Sequence, residues 1–145
     1  MSQRKVKLQV ILPQDKKVNE NVDMVIMRCV NGDMGVLAGH ADYCAVLDFG
    51  KLRILNNEKE RWLAIYGGIA IISNSEVTIF THEAQWPDEI DTARAEADRR
   101  NIESKIKEKS DDLELQNDRV LLRKALVQIE VAASSLVDDD ESLLN

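Results

Sequence analysis

Residues Gly32–Ile54 read GDMGVLAGHADYCAVLDFGKLRI. Four glycines, one histidine and one cysteine interrupt an otherwise apolar run. Three readings compete: a phosphate loop, a chemical site, and a surface shaped to meet another protein. GDMGVLAG is not GxGxxG, and no strand–loop–helix unit follows it. FGKL lacks both the Ser/Thr after Gly-Lys and the upstream glycine of a Walker loop. The glycines instead permit a positive φ or a close backbone approach in turns and bulges. The stretch reads as turns between strands, and its surroundings agree.

Working outward, KVKLQVIL alternates. Val6, Leu8, Val10 and Leu12 point one way, and Lys5, Lys7 and Gln9 the other. A period of two marks a half-buried strand. The same reading predicts strands over Val22–Val30, Lys51–Leu55, Trp62–Tyr66, Ile69–Ser73 and Glu76–Thr81. Turn chemistry falls between them at Asn31-Gly32, Asn56-Asn57, Gly67-Gly68 and Asn74-Ser75. Short strands at this spacing, with no helical stretch among them, predict an N-terminal antiparallel β-sandwich over residues 1–86.

Trp86-Pro87 ends the alternation. Asp88 or Asp91 is placed to cap a helix, with acids in its first turn. From Ile90 to Lys109 the chain is helix-forming and polar, its apolar positions being Ile90, Ala93, Ala97, Ile102 and Ile106. Ser110-Asp111-Asp112 breaks it. A second helix carries Leu115, Leu122, Leu126, Ile129, Ala133 and Leu136 as an amphipathic stripe. Two helices with a short link predict a C-terminal antiparallel two-helix hairpin over 87–137. Residues 138–145 form an acidic tail expected to fray.

Charge divides the same way. Residues 1–86 carry 10 Lys+Arg and 10 Asp+Glu; residues 87–145 carry 9 and 16, which accounts for the whole net charge of −7. That balance argues against nucleic acid as a partner. No apolar run reaches the ~20 residues of a membrane span, and no secretory signal is evident, so a cytoplasmic setting is expected. The first helix offers a seam of mostly alanine and isoleucine. Scaffolds below ~70–80 residues rarely gain more than ~3–5 kcal/mol from one core, and isolated helices are marginal in water. The hairpin therefore reads as a movable arm on a rigid body.

Chemistry is sparse. The histidines are His40 and His82 and the cysteines Cys29 and Cys44, and no pair has zinc-like spacing. A metal-dependent enzyme using these four remains a rival, but no metal is expected. No serine sits in a GxSxG context, and nothing assembles an acid, a base and a pocket. No catalytic residue is expected.

Three blocks in order carry a resemblance. GDMGVLAGHADYCAVLDFGKLRI resembles the G-x-x-G-x-x-P-G-H-A-P…L…G-x-L-x-I block of the epsilon subunit of bacterial F-type ATP synthases (delta in mitochondria). Tyr66-Gly67-Gly68-Ile69-Ala70 looks like that family's GG-hydrophobic strand. Glu89-Ile90-Asp91-Thr92-Ala93-Arg94-Ala95 looks like the I/L-D-x-x-R-A opening of its helical hairpin. Ala38 and Asp42 stand where the family often has proline, which implies a less rigid loop.

The resemblance implies a non-catalytic subunit of the rotating central stalk. Its implied partners are the gamma subunit, the c-ring subunits and the alpha/beta head, and its implied place is peripheral, on the cytoplasmic face of the bacterial cell membrane. It would couple ion flow through the ring to ATP synthesis, with the hairpin inhibiting hydrolysis when extended. Asp33, Met34 and His40 are implied contacts with the c ring. Arg99, Arg100, Lys105 and Arg123 are implied contacts with the head, although spacing alone favours a solvated face. No cofactor is required, but ATP is implied as a regulatory ligand at Ile90, Asp91, Arg94, Ala95 and Lys124. Gln128 stands where ATP-binding members often carry arginine, and Lys124 lacks the planar fork, so binding is expected to be weak. The alternative is a free-standing ATP-sensing module whose folded hairpin binds nucleotide.

Overall fold

The computed structural model describes residues 4–108 and 112–144, with the side chains of the last helix described from 113 to 134. The strands are β1 (Val6–Ile11), β2 (Lys16–Val22), β3 (Met24–Cys29), β4 (Gly32–Val36), β5 (Tyr43–Asn56), β6 (Lys59–Ser73), β7 (Glu76–Phe80) and β8 (Ala84–Gln85). A 3-10 turn, Pro87–Glu89, leads to α1 (Thr92–Glu108) and α2 (Asp112–Leu144). The chain divides into two compact units between Gln85 and Trp86.

The strands run in the order β2-β1-β7-β6-β5-β3-β4, with β8 beside β6. Every pair is antiparallel except β1 with β7. The ribbon folds over on itself: β1 approaches β3, and β2 approaches β5, without pairing. Arg61 on β6 reaches across to Glu20 on β2 as an ion pair. The core between the layers holds Val6, Leu8, Val10, Val25, Leu52, Leu63, Ile72 and Ile79, all nearly or fully buried. Each such side chain contributes about 1.5–3 kcal/mol over its exposed state.

The long β5–β6 hairpin serves both layers. Its register is unbroken from Asn56↔Lys59 to Tyr43↔Ile72. Yet its buried face changes partway. On β6 the buried side chains are Leu63 and Ile65 before Gly67-Gly68, with small Ala64 also buried on the opposite face, and then Ala70 and Ile72 after; on β5 they are Ala45 and Leu47, then Leu52 and Ile54. The parity of burial switches on both strands at the same rung. Gly67-Gly68 is therefore not a turn between two strands, as the sequence pattern suggests, but a twist within one. Gly67 has φ +81 and Gly68 φ +134, and a Cβ on Gly68 would lie 2.3 Å from the Phe80 carbonyl oxygen. Buried Thr81 donates its hydroxyl to Gly67 O at 2.7 Å and fastens the twist. Only glycine accepts both the dihedral and the contact.

The far end of the sandwich is pinned by charge. Lys5 Nζ bonds Asp23 Oδ1 at 2.5 Å and Asn56 Oδ1 at 2.8 Å, and Asn57 N donates to Asp23 Oδ2 at 2.8 Å. One lysine thus joins the start of β1 to the β2–β3 and β5–β6 turns. Lys5, then the Asn57 amide, hold the Asp23 carboxyl below its usual value. Arg53 foremost, with the Trp62 indole, does the same for Glu60 against an opposing effect of burial.

The helices follow the predicted period but not always the predicted phase. On α1 the buried residues are Ala95 and Ile102, with Arg99 and Ile106 half-buried, while Ala93 and Ala97 are exposed. At ~100° per residue, Ala95 shares a face with Ile102 and Ile106, whereas Ala93 falls opposite Ile102. Three alternating alanines gave no basis for choosing among them. On α2, Val127 and Val131 are buried; along a second line, Leu115, Leu122 and Ile129 are half-buried, and Asp118, Ala125 and Ala132 are buried. These six positions alternate by three and four, the heptad spacing of a helix–helix seam. Leu126, at 44% exposure, and Ala133 lie outside it. Leu136 and the Ser110-Asp111 break lie outside the described side chains and residues. The expected frayed tail is helical through Leu144, because extending an existing helix costs far less than starting one.

Two predictions follow from the sandwich. Gly68→Ala loses roughly 2–5 kcal/mol in urea unfolding from strained φ plus contact with Phe80, whereas Gly32→Ala, with φ +119 but nothing near, loses about 1–3 kcal/mol from the dihedral alone. Asp23 and Glu60 both have depressed folded values, so their contribution is complete above the ordinary 3.8 and 4.5 and is lost as pH falls through the lower folded values. Acid titration of unfolding for Asp23→Asn and Glu60→Gln should show a shallower acid limb than the parent.

Candidate functional site

The opening stretch forms a hairpin tip and a loop. β3 turns through Val30-Asn31 into β4, so that Arg28 faces Asp33 and Met27 faces Met34. The Arg28 guanidinium and Asp33 carboxylate lie 3.5 Å apart. Gly35 lets β4 sit close: a Cβ there would fall 2.6 Å from Met24 Cε. The loop after β4 is held by Gly39 N donating to Ser75 Oγ at 3.0 Å and His40 N donating to Leu37 O at 3.2 Å. His40 Nδ1 lies 2.6 Å from Ala41 O. Asp33 is exposed, and Met34 and His40 are half-buried. The structure thus sets Asp33 and Met34 side by side on one strand and His40 in the loop that follows.

A cleft of about 330 Å³ lies at this tip, lined by Cys29, Asn31, Asp33, Met34, Tyr43 and Cys44 among others. Cys29 is buried and Cys44 exposed. Burial, then the Asp33 charge, pushes the Cys29 thiol up, which keeps it protonated and unreactive. Among the described residues no three His, Cys, Asp or Glu side chains gather as a metal set.

A larger feature escaped the sequence reading. Val46 pairs with Ile69, Ile69 with Phe80, and Phe80 with Ile11. Val46, Ile69 and Phe80 are 56%, 47% and 45% exposed. With half-buried Ile11 on β1 they form an apolar row across four strands on the outer face. Ile71, also exposed, pairs with Cys44 on the next outward rung. The row borders a cleft of about 500 Å³ lined by Leu12, Pro13, Tyr66, Ile69, Phe80 and His82 among others. Contiguous apolar surface on a small domain marks an interaction site. The signal was present in Ile69-Ala70-Ile71-Ile72, which is apolar at both parities and so greasy on both faces of the sheet.

The hairpin residues are placed as follows. Asp91 caps α1: its Oδ1 accepts from Arg94 N at 3.1 Å, and its carbonyl accepts from Ala95 N at 3.0 Å. Ile90 and Ala95 are buried, Arg94 is exposed, and Lys124 is half-buried on α2. Arg99 pairs with Glu96 at 3.2 Å, and Arg100 Nε donates to the Glu96 carbonyl at 3.4 Å. Glu96 thus pairs through its side chain with Arg99, three residues on. Arg99 Nε is buried without a hydrogen-bond partner among the described residues, while Arg100, Lys105 and Arg123 are exposed. The four basic residues do not share one free surface, since Arg99 turns toward the helix seam.

Comparison with known proteins agrees with this layout. Residues 5–87 match the family described as ATP synthase, Delta/Epsilon chain, beta-sandwich domain. The ATP synthase epsilon chain of Caldicellulosiruptor bescii is 32% identical over 86% of this chain and 91% of its own length. That of Syntrophobacter fumaroxidans is 34% identical over 88% and 96%. Among solved structures, a chain of the Euglena gracilis mitochondrial ATP synthase, determined as an OSCP/F1/c-ring assembly, superposes with a TM-score of 0.79 at 25% identity, covering 89% of this chain and 81% of that one. A sandwich with a twisted central ribbon, a glycine-shaped tip and an Asp91-capped hairpin, matched across nearly its whole length, belongs to the delta/epsilon chain family of ATP synthases.

Proposed function

We infer that this chain is a non-catalytic rotor subunit whose sandwich grips the central stalk of an F-type ATP synthase and whose hairpin restrains hydrolysis. The observation that carries the reading is the exposed apolar row Val46–Ile69–Phe80, which leaves a broad greasy face on a sheet whose other face already fills the core. The gamma subunit is the partner for that row. The c ring meets the separate polar tip at Asp33, Met34 and His40. A subunit held at two places transmits torque between ring and stalk, and so couples ion flow to ATP synthesis. Its attachment to the membrane is peripheral, through the complex, on the cytoplasmic face.

The hairpin's role follows from its seam. Two alanines and an aspartate hold three of the six heptad positions on α2, with Leu115, Leu122 and Ile129 at the others, so parting the two helices exposes less apolar area than parting an all-leucine seam would. A second, extended state along the stalk then lies within reach, and Arg99, Arg100, Lys105 and Arg123 would meet acidic segments of the alpha/beta head there. ATP is a regulatory ligand of the closed hairpin at Ile90, Asp91, Arg94, Ala95 and Lys124. One Asp91 oxygen is already used by the helix start, and Lys124 offers only a point charge, so nucleotide binding is weak. A ligand shifts such an equilibrium only by its differential affinity for the two states.

Two measurements test this. Ile69→Asp leaves the core untouched and places a charge in the row, so binding to the stalk should weaken at least ~30-fold, the scale of a lost interface hot spot. Unchanged assembly would remove the row from the interface. Separately, a chain lacking residues 88–145 should fold, assemble and raise the ATPase rate of the complex. An unaltered rate would end the inhibitory role.

A further inference from the structure

We propose that Asn31 is a site of spontaneous, backbone-assisted deamidation, in which the Gly32 amide nitrogen is the nucleophile and water the co-reactant. Three observations on the β3–β4 tip converge. Asn31 is followed by glycine, the residue that hinders attack least. Both residues are exposed, and the Asn31 side chain makes no hydrogen bond among the described residues. Gly32 has φ +119, with no atom within 4 Å of where a Cβ would stand. The backbone there has both the freedom and the space to close a ring. Gly32 is also the last rung of the β3–β4 ladder, opposite Cys29, so fraying of a single rung frees its amide.

The chemistry balances without an oxidant. The Gly32 nitrogen, after loss of its proton, bonds to Asn31 Cγ. The Cγ–Nδ2 bond breaks and the amide leaves as ammonia. Water then opens the cyclic imide at either carbonyl, leaving aspartate or isoaspartate at position 31. The net change is loss of ammonia and gain of water, with one new negative charge two residues from Asp33. That carboxylate competes for Arg28, and the iso form also lengthens the backbone by one methylene at the tip.

No other asparagine in the described residues has this combination. Asn56 and Asn57 accept hydrogen bonds from Lys5 through Oδ1. Asn19 Oδ1 accepts from Gln9 at 3.5 Å. Asn74 precedes Ser75, Asn21 precedes β-branched Val22, and Asn101 and Asn117 lie within α1 and α2. Asparagine is among the thermally labile residues, and local structure decides which copy reacts first.

The test is incubation of the purified full-length chain at neutral and mildly alkaline pH, followed by peptide mass spectrometry that separates aspartate from isoaspartate. The expected result is conversion at Asn31 ahead of every other asparagine, faster at the higher pH, with isoaspartate among the products. Asn31→Gln should abolish the change in that peptide, and Gly32→Ala, which folds with only a modest loss, should slow it several-fold. Conversion first at Asn57 or Asn74, a product containing aspartate alone, or an unslowed Gly32→Ala variant overturns the proposal.

Discussion

The contact between Gly68 and the Phe80 carbonyl is the constraint on which the molecule depends. At that rung the β5–β6 ribbon exchanges the face it buries, and the exchange lets one pair of strands belong to both layers of the sandwich. The twist needs a backbone at φ +134 pressed against a neighbouring carbonyl, with Thr81 tying Gly67 in place. Side chains before the twist and after it then reach the same core. The outward parity also changes there, which brings Val46, Ile69 and Phe80 into one exposed row. The exposed apolar row is thus a by-product of the same twist that closes the fold.

The two units are stabilised in different ways. The sandwich buries branched aliphatic side chains on several strands and adds polar pins at its far end, where Lys5 reaches three turn residues. The hairpin seam mixes Ile102, Leu115, Leu122 and Ile129 with alanines and an aspartate. At ~25 cal/mol per Å² of apolar area, alanine seams give far less than leucine seams. Side-chain size thus gives the sandwich core more apolar burial per position than the alanine positions of the hairpin.

Much of the fold was legible because it rests on local periodicity. β1, β7, the hairpin turns and the two helices all announce themselves through alternation, asparagine-rich turns and helix-forming runs. A cap at Asp88 or Asp91 was readable ahead of the helical run, and the structure uses Asp91. What the pattern missed has physical reasons. β2 is KKVNENV, with only Val18 and Val22 turned inward, and an edge strand of charged residues resembles a loop. β4 contains two glycines in five residues, so its pairing with β3 comes from the register set at the turn rather than from its own propensity. The alanines of α1 were ambiguous in phase until Ile102 and Ile106 fixed the buried side. Asp118, Ala125 and Ala132 carry no large apolar side chain, so the pattern of α2 does not mark them as seam positions.

By itself, then, the sequence determined that a strand-rich unit precedes two helices, that the acidic excess lies after residue 86, and which family the motifs resemble. Those properties reside in short windows and in composition. Only the tertiary structure decided that Gly67-Gly68 is a twist inside a strand, that β1 and β7 run parallel, that Arg99 faces the seam, and that Val46, Ile69 and Phe80 stand together. Each of these depends on residues far apart in the chain being brought to adjacent rungs, and no local pattern encodes which rung meets which.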